Sequence, residues 1–253
     1  LELGCRNAML WAGLPVSVFR NDMNAPLGTA LYNLPLLGQG TAEAESLTSY
    51  IVRLARAHFI RPRDLIRRVA GEADAEIAAL CYSWFFTRYA LTANGLGNYA
   101  QLFSTRLGEL TGNQELDRAT LLPWRNLIAP NGSSLLALHP RWCPHCLAAD
   151  ERTGAGPYLR LVWSVALNKH CIKHHIPLEG TCPHCGHFQP AIPQTPDLLH
   201  CDRCMKPLVI PDALVRLDHI KPVNEILRTE EIIAELIEAN VFANSSTTHA
   251  RFA

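Results

Sequence analysis

The chain has 253 residues, enough for one large domain or two small ones. Hydrophobic residues make up 48% and charged residues 18%, a balance that is ordinary for a globular protein with a buried core. The formal net charge is zero, so a contact with nucleic acid or a membrane has to use a local patch rather than a global field. The longest apolar stretch near the start, residues 7–19, is shorter than the roughly 20 residues that span a bilayer, and we expect no membrane partner.

Two short helices are predicted after an N-terminal segment, residues 1–40, in which prolines and glycines favour no strong element. From Ser46 apolar side chains recur every three or four residues, which indicates one face of an amphipathic helix. The residues of this face are Leu47, Tyr50, Ile51, Leu54 and His58. After a break at 59–61, Pro62 suits a first helical turn, and a second apolar face ends at Gly71. Two helices joined by a tight turn are the outline of a helix-turn-helix.

The same segment carries a local excess of positive charge. It contains one acid, Asp64, and six arginines, which are Arg53, Arg56, Arg61, Arg63, Arg67 and Arg68. One hypothesis is that the second helix and its flanks contact the phosphates of nucleic acid through these arginines. The alternative is a solvated helix face with ordinary surface charge.

Weaker helical patterns follow over residues 75–91 and 96–110, and an amphipathic helix with glutamates on its outer side is predicted for 223–241. Residues 121–142 are rich in loop-forming residues, so we place a domain boundary there. The predicted organisation has four parts: a poorly defined segment at 1–40, a helical, helix-turn-helix-like region at 41–135, a two-zinc module at 136–210, and a C-terminal helix and tail at 211–253. The predicted fold class is mostly α with small zinc-ribbon β elements.

The cysteines carry the strongest signal. Seven of the nine lie between positions 143 and 204, where paired thiols in a chain of this length indicate metal in a reducing compartment rather than disulfides. Four ligand pairs share a two-residue spacing, which lets a tight turn bring two side chains onto one metal. The pairs are Cys143 with Cys146, Cys171 with His174, Cys182 with Cys185, and Cys201 with Cys204. Eight ligands of these types predict two structural Zn²⁺ ions.

Sequential pairing assigns the first two pairs to one zinc and the last two to the other, and a crossed arrangement of the first and third pairs is the alternative. His174 is favoured over His175 as a ligand because it repeats the spacing of the other pairs. A helix over residues 158–169 is expected to close the long separation within the first site. Four protein ligands per zinc leave no position for water, so both sites are expected to be structural. A thioredoxin-type redox pair at Cys143 and Cys146 is the alternative chemistry.

Four stretches of the sequence carry a family resemblance. They are residues 45–55, residues 141–150, residues 158–163 followed by Cys171 and His174, and residues 181–186. Together they look like the TniQ/TnsD family of transposition proteins, over roughly residues 35–207. The sequence departs from the family pattern at Ala44, where the family often has glycine, and at Ile172, where it often has proline.

The resemblance implies a target-site selector of a bacterial transposon that works in the cytoplasm. Such a protein recognises a target, either directly as DNA or through an RNA-guided targeting complex, and recruits an AAA+ ATPase similar to TniB or TnsC that brings the transposase. The resemblance implies no catalytic activity. The alternative function is a stand-alone zinc-containing transcription regulator that uses the same helix-turn-helix. A homodimer through residues 223–241 is a further hypothesis.

Overall fold

The protein is mostly helical in the part that a computed structural model describes, which comprises residues 29–73, 84–126, 135–154, 156–210 and 224–243. Five α-helices lie within these residues: α1 (Leu47–Ala57), α2 (Pro62–Ala73), α3 (Asn98–Thr111), α4 (Pro144–Thr153) and α5 (Asn224–Ala243). Short turns connect them, a π-helical turn at Phe85–Tyr89 and 3₁₀ turns at Ala90–Asn94, Leu116–Ala119, Leu122–Asn126 and Leu161–Ser164. Strand pairing in the described ranges consists of isolated bridges, so the predicted mostly α fold class with small β elements is confirmed. No helix in this part of the chain is long and apolar enough to cross a membrane.

The two predicted N-terminal helices are present and pack against each other. The side chain of Ser46 caps α1, and the helix buries the predicted apolar residues Leu47, Tyr50, Ile51 and Leu54. Pro62 begins α2, as its fixed φ and missing N–H favour. The predicted end at Gly71 is wrong, because α2 continues to Ala73. A glycine inside a helix costs only about 1 kcal/mol relative to alanine, which the buried face of α2 outweighs.

A first hydrophobic core forms between α1, α2, α3 and the turns that precede α3. Phe85 and Phe103 are fully buried in it, and their ring centroids lie 5.4 Å apart. Helix α3 matches the pattern predicted over 96–110. It is capped at its C-terminus by Gly112, whose φ of 73° is left-handed. The pattern predicted over 75–91 falls partly outside the described residues, and the remainder forms the π-helical and 3₁₀ turns.

A second hydrophobic core joins the helical region to the cysteine-rich part of the chain. It brings together Leu96, Leu121, Trp124, Trp142, Cys143, Leu147, Leu161, Ile233 and Ile237. This core has members before, within and after the segment 121–142, of which 127–134 lie outside the described residues, and the boundary placed there stays a prediction. Helix α5, predicted at 223–241 as a separate C-terminal element, belongs to the same core.

Two glutamates hold α5 in place. Glu230 is fully buried, and its Oε1 accepts hydrogen bonds from the backbone N–H groups of Lys169 and His170 at 3.1 and 3.2 Å. Glu238 accepts a hydrogen bond from the N–H of Ala42 at 3.2 Å. The helix therefore contacts both the segment that precedes α1 and the chain that leads into the second ligand pair.

Candidate metal centres and arginine surface

The first cluster is built from Cys143, Cys146, Cys171 and His174, whose ligand atoms all lie within 4.8 Å of one another. The sulfurs of Cys146 and Cys171 are 3.7 Å apart. The Nδ1 atom of His174 lies 3.3 Å from the sulfurs of Cys143 and Cys146. It lies 3.5 Å from the sulfur of Cys171. All three cysteines are buried.

The second cluster is built from Cys182, Cys185, Cys201 and Cys204, again within 4.8 Å of one another. The sulfurs of Cys182 and Cys204 are 3.7 Å apart, as are those of Cys185 and Cys201. A disulfide would require a separation of about 2.05 Å. The structure thus brings the pairs together in sequential rather than crossed order, with the sulfurs at a distance that suits a shared metal.

The spacing of the donor atoms fits a tetrahedral zinc site. With Zn–S bonds of about 2.3 Å, the edge between two sulfurs of a tetrahedron is about 3.8 Å, and the edge from sulfur to a histidine nitrogen is about 3.5 Å. The observed sulfur–sulfur distances of 3.7 Å and the sulfur–nitrogen distances of 3.3 to 3.5 Å follow this geometry. Both clusters could therefore hold a four-coordinate metal ion with no ligand position left over.

Three of the four ligand pairs have the same backbone turn. In each turn the N–H of the residue four positions after the first cysteine donates to the carbonyl of that cysteine. The donor and acceptor residues are His175 and Cys171, Gly186 and Cys182, and Met205 and Cys201, at 2.7 to 2.9 Å. The donor residue adopts a left-handed φ in all three turns, 54°, 67° and 57° respectively. Glycine adopts this φ without strain, whereas histidine and methionine do so at a cost.

This turn separates the roles of the two adjacent histidines. His175 occupies the left-handed position, and its backbone N–H closes the turn. His174 directs its ring nitrogen to the three sulfurs. The ring of His145 stacks on that of His174 at a centroid distance of 5.2 Å, so it packs against the cluster from outside.

The first pair is held differently, at the start of a helix. Cys143 is the N-terminal cap of α4 and Pro144 opens its first turn. The preceding residue, Trp142, exchanges two backbone hydrogen bonds with Glu179, at 2.9 and 2.8 Å. The N-terminus of a helix carries a partial positive charge that favours the thiolate form of a cysteine, which is the form that binds metal.

The helix predicted over residues 158–169 is wrong, because only the 3₁₀ turn Leu161–Ser164 forms there. The residues on either side of this turn form antiparallel bridges instead, Arg160 with Glu45 and Val165 with Leu136. Their backbone groups are used between distant segments and are unavailable for a continuous helix.

Residues from separate sequence motifs meet in a buried ion-pair network. Arg160 is 2% exposed, forms a two-point ion pair with Asp150, and lies 3.1 Å from an oxygen of Glu43. The rings of Tyr158 and Trp163 lie 4.0 and 4.8 Å from its guanidinium. Burial by itself would lower the pKa of Arg160, but the hydrogen bond to Asp150 and the charge of Glu43 raise it above its ordinary value. The guanidinium is therefore held charged and fully surrounded.

A second buried carboxylate extends this network towards α1. Glu45 forms an ion pair with Arg53 and accepts a hydrogen bond from the hydroxyl of Ser49 at 3.0 Å. That hydroxyl accepts in turn from the backbone N–H of Leu159 at 2.9 Å. Burial raises the pKa of Glu45 from 4.5 to about 7, and Arg53 and Ser49 oppose the shift only in part. The network joins α1 to the chain between the first two ligand pairs.

The six arginines of the N-terminal helices have different surroundings. Arg53 pairs with Glu45, Arg63 donates to the carbonyl of Ile192 at 3.1 Å, and Arg67 pairs with Asp64 of its own helix at 2.9 Å. Arg56, Arg61 and Arg68 are exposed. Nucleic-acid contact through these arginines stays a prediction, and the exposed residues are the ones whose positions suit it.

The fold and the two clusters define a class of protein before any comparison. A helical region shares its core with two clusters of cysteine and histidine, each of which could hold a four-coordinate metal ion. The family model for TniQ matches residues 36–178, which is more than half of the chain, and the chain belongs to the TniQ family of transposition-related proteins. The matched region contains α1 to α4 and the whole first cluster, whereas the second cluster lies beyond it. Comparison with curated proteins finds no match.

Proposed function

We propose that this protein is a target-selection adaptor of a transposon: it binds a target and recruits the AAA+ ATPase that brings the transposase. The observation that carries the proposal is the TniQ match over residues 36–178. The clusters support it, since two sites with four protein donors each suit a rigid binding scaffold and not a catalyst. The adaptor is expected to act in the bacterial cytoplasm and to have no catalytic activity of its own.

Zinc is the metal that the donor sets favour. Three thiolates with one imidazole, and four thiolates, in tetrahedral arrangement suit Zn²⁺ better than metals that prefer oxygen ligands. Bound zinc would supply folding free energy, on the order of 10–16 kcal/mol for a small site. The residues that would hold the two ions are Cys143, Cys146, Cys171, His174, Cys182, Cys185, Cys201 and Cys204.

The target is either DNA or an RNA-guided targeting complex. The exposed arginines of the α1–α2 region support a direct contact with nucleic acid, because guanidinium groups pair with phosphates. The ATPase is expected to be similar to TniB or TnsC. The ligands of the first cluster are largely buried, so we expect neither partner to bind at that centre.

The experiment is a co-purification of the tagged chain with the AAA+ ATPase of the same transposon, in the presence and absence of DNA and ATP. We expect a complex that forms with the wild-type chain and with the surface variant Glu109→Gln, and that is lost when His174→Ala removes a ligand of the first cluster. Absence of association under every condition would overturn the adaptor role. Tight binding to one DNA sequence without the ATPase would identify a stand-alone transcription regulator instead.

A further inference from the structure

The turn between α1 and α2 presents an unusual side chain to solvent. Phe59 is 95% exposed, more than any other large hydrophobic side chain among the described residues. Its φ is 55°, in the left-handed region, which a bulky aromatic residue adopts rarely and a glycine adopts freely. Neither burial nor backbone preference therefore explains a phenylalanine at this position.

Aromatic and cationic side chains surround this turn. The ring of His58 stacks on that of Tyr32 at a centroid distance of 4.3 Å, and Tyr32 is itself 59% exposed. Arg56 and Arg61 are exposed on either side of Phe59 in the chain. The sequence from Ser46 to Arg63 contains no aspartate or glutamate. We call Tyr32, Arg56, His58, Phe59 and Arg61 the α1–α2 tip.

The chemistry of the tip matches nucleic acid. Phosphates pair with arginines, and the face of a base offers an apolar surface against which an exposed aromatic ring packs. Phenylalanine is also one of the side chains that proteins insert between base steps. A protein partner would need an acidic surface with a deep apolar pocket for the ring, and strained backbone of this kind is concentrated at ligand-binding sites.

We propose that the α1–α2 tip binds DNA, with the ring of Phe59 packed against a base and Arg56 and Arg61 in contact with the flanking phosphates. This deepens the proposed function, on which it rests, by assigning the DNA contact to the turn rather than to the whole of α2. The left-handed backbone then serves to project the ring away from the helices.

The test measures binding of the 253-residue chain to DNA by fluorescence anisotropy. The two labelled probes are a duplex of about 20 base pairs and one of its single strands. Phe59→Gly removes the ring and relaxes the backbone, so its thermal stability should equal or exceed that of the wild type. It should bind at least one probe about 5- to 150-fold more weakly, whereas Phe59→Trp should bind like the wild type. Leu138→Ala, which removes another exposed apolar side chain, is the matched control and should change nothing.

The arginines give a separate signature. Arg56→Gln and Arg61→Gln should each lower the slope of log K against log salt by about one, and Phe59→Gly should leave that slope unchanged. Wild-type affinity in Phe59→Gly, or no binding of either probe by the wild type, overturns the proposal. If Phe59→Gly no longer binds the ATPase but binds DNA with wild-type affinity, the proposal is overturned in favour of a protein contact. The adaptor role is tested separately, by co-purification with the ATPase, and Phe59→Gly should still form that complex.

Discussion

The buried ion pair between Arg160 and Asp150 is a feature whose disruption should cost several kcal/mol of stability. The substitution Arg160→Met keeps the volume and apolar stem of the side chain but leaves Asp150, which is 8% exposed, without its partner. Breaking a buried pair by removing one member costs about 3–5 kcal/mol. Because a domain of this size has a free energy of unfolding of about 5–15 kcal/mol, the variant should be severely destabilised.

The assay is equilibrium unfolding in urea with zinc supplied at a constant concentration. Arg106→Met is the matched control, since Arg106 pairs with Glu109 at the surface with side chains 31% and 54% exposed, and such pairs contribute about 1 kcal/mol or less. The double variant Arg160→Met with Asp150→Leu should recover much of the loss, because the one carboxylate that then lacks its arginine, Glu43, is 32% exposed and can be hydrated. Equal losses for the buried and the surface variant would refute the argument that burial makes the loss of the Arg160–Asp150 pair costly.

Three further predictions concern the clusters and the buried acid. His174→Ala should lower the zinc content by one ion per chain, whereas His175→Gly should keep both ions and gain up to about 1 kcal/mol of stability from its left-handed position; equal zinc loss in both variants would contradict the assignment. A chelator should remove the zinc of the second cluster first, because Cys185 is exposed. A colorimetric zinc indicator should therefore record two phases of zinc release, and Cys143→Ser should show only the fast phase. A single phase in the wild type would count against this order of release. The pKa of Glu45 is about 7 in the folded protein and 4.5 in the unfolded chain. The folded state therefore binds the proton more tightly, and the contribution of Glu45 to the unfolding free energy falls by about 3 kcal/mol as the pH rises from about 4.5 to 7. The difference in unfolding free energy between the wild type and Glu45→Gln should therefore change from about pH 5 to pH 8, and a constant difference would exclude the burial effect.

Local patterns predicted the parts of the fold that depend on neighbours in the chain. The three- and four-residue spacing of apolar side chains predicted α1, and the two-residue spacing of the ligand pairs predicted the sets that the structure brings together. Both signals are strong because a helix face and a metal-binding turn each impose a fixed short period.

Long-range pairing accounts for what the sequence did not predict. Arg160 lies 117 positions from Glu43, and no short-range period links them. Residues 158–169 have helical spacing, but bridges to Glu45 and Leu136 override it. The prolines and glycines of 121–142 indicate a loop, and no short-range pattern shows that Leu96, Trp124 and Trp142 belong to one hydrophobic core.

The left-handed turn residues illustrate the same limit. Gly186 adopts a φ of 67° in the turn of its ligand pair, which a glycine does without strain. His175 and Met205 occupy the equivalent positions, although nothing about a histidine or a methionine indicates a left-handed backbone. The left-handed φ and the repeated hydrogen bond together show that the three positions are equivalent in the structure.

The central structural claim, a fold built on two closed zinc sites, is tested most directly by the zinc stoichiometry of the purified 253-residue chain. Native mass spectrometry under non-denaturing conditions should show two zinc ions per chain, and the thiols of both clusters should react with a thiol reagent only after a chelator is added. A chain that folds without zinc and forms a reversible disulfide between Cys143 and Cys146 would contradict the account and favour redox chemistry at the first pair.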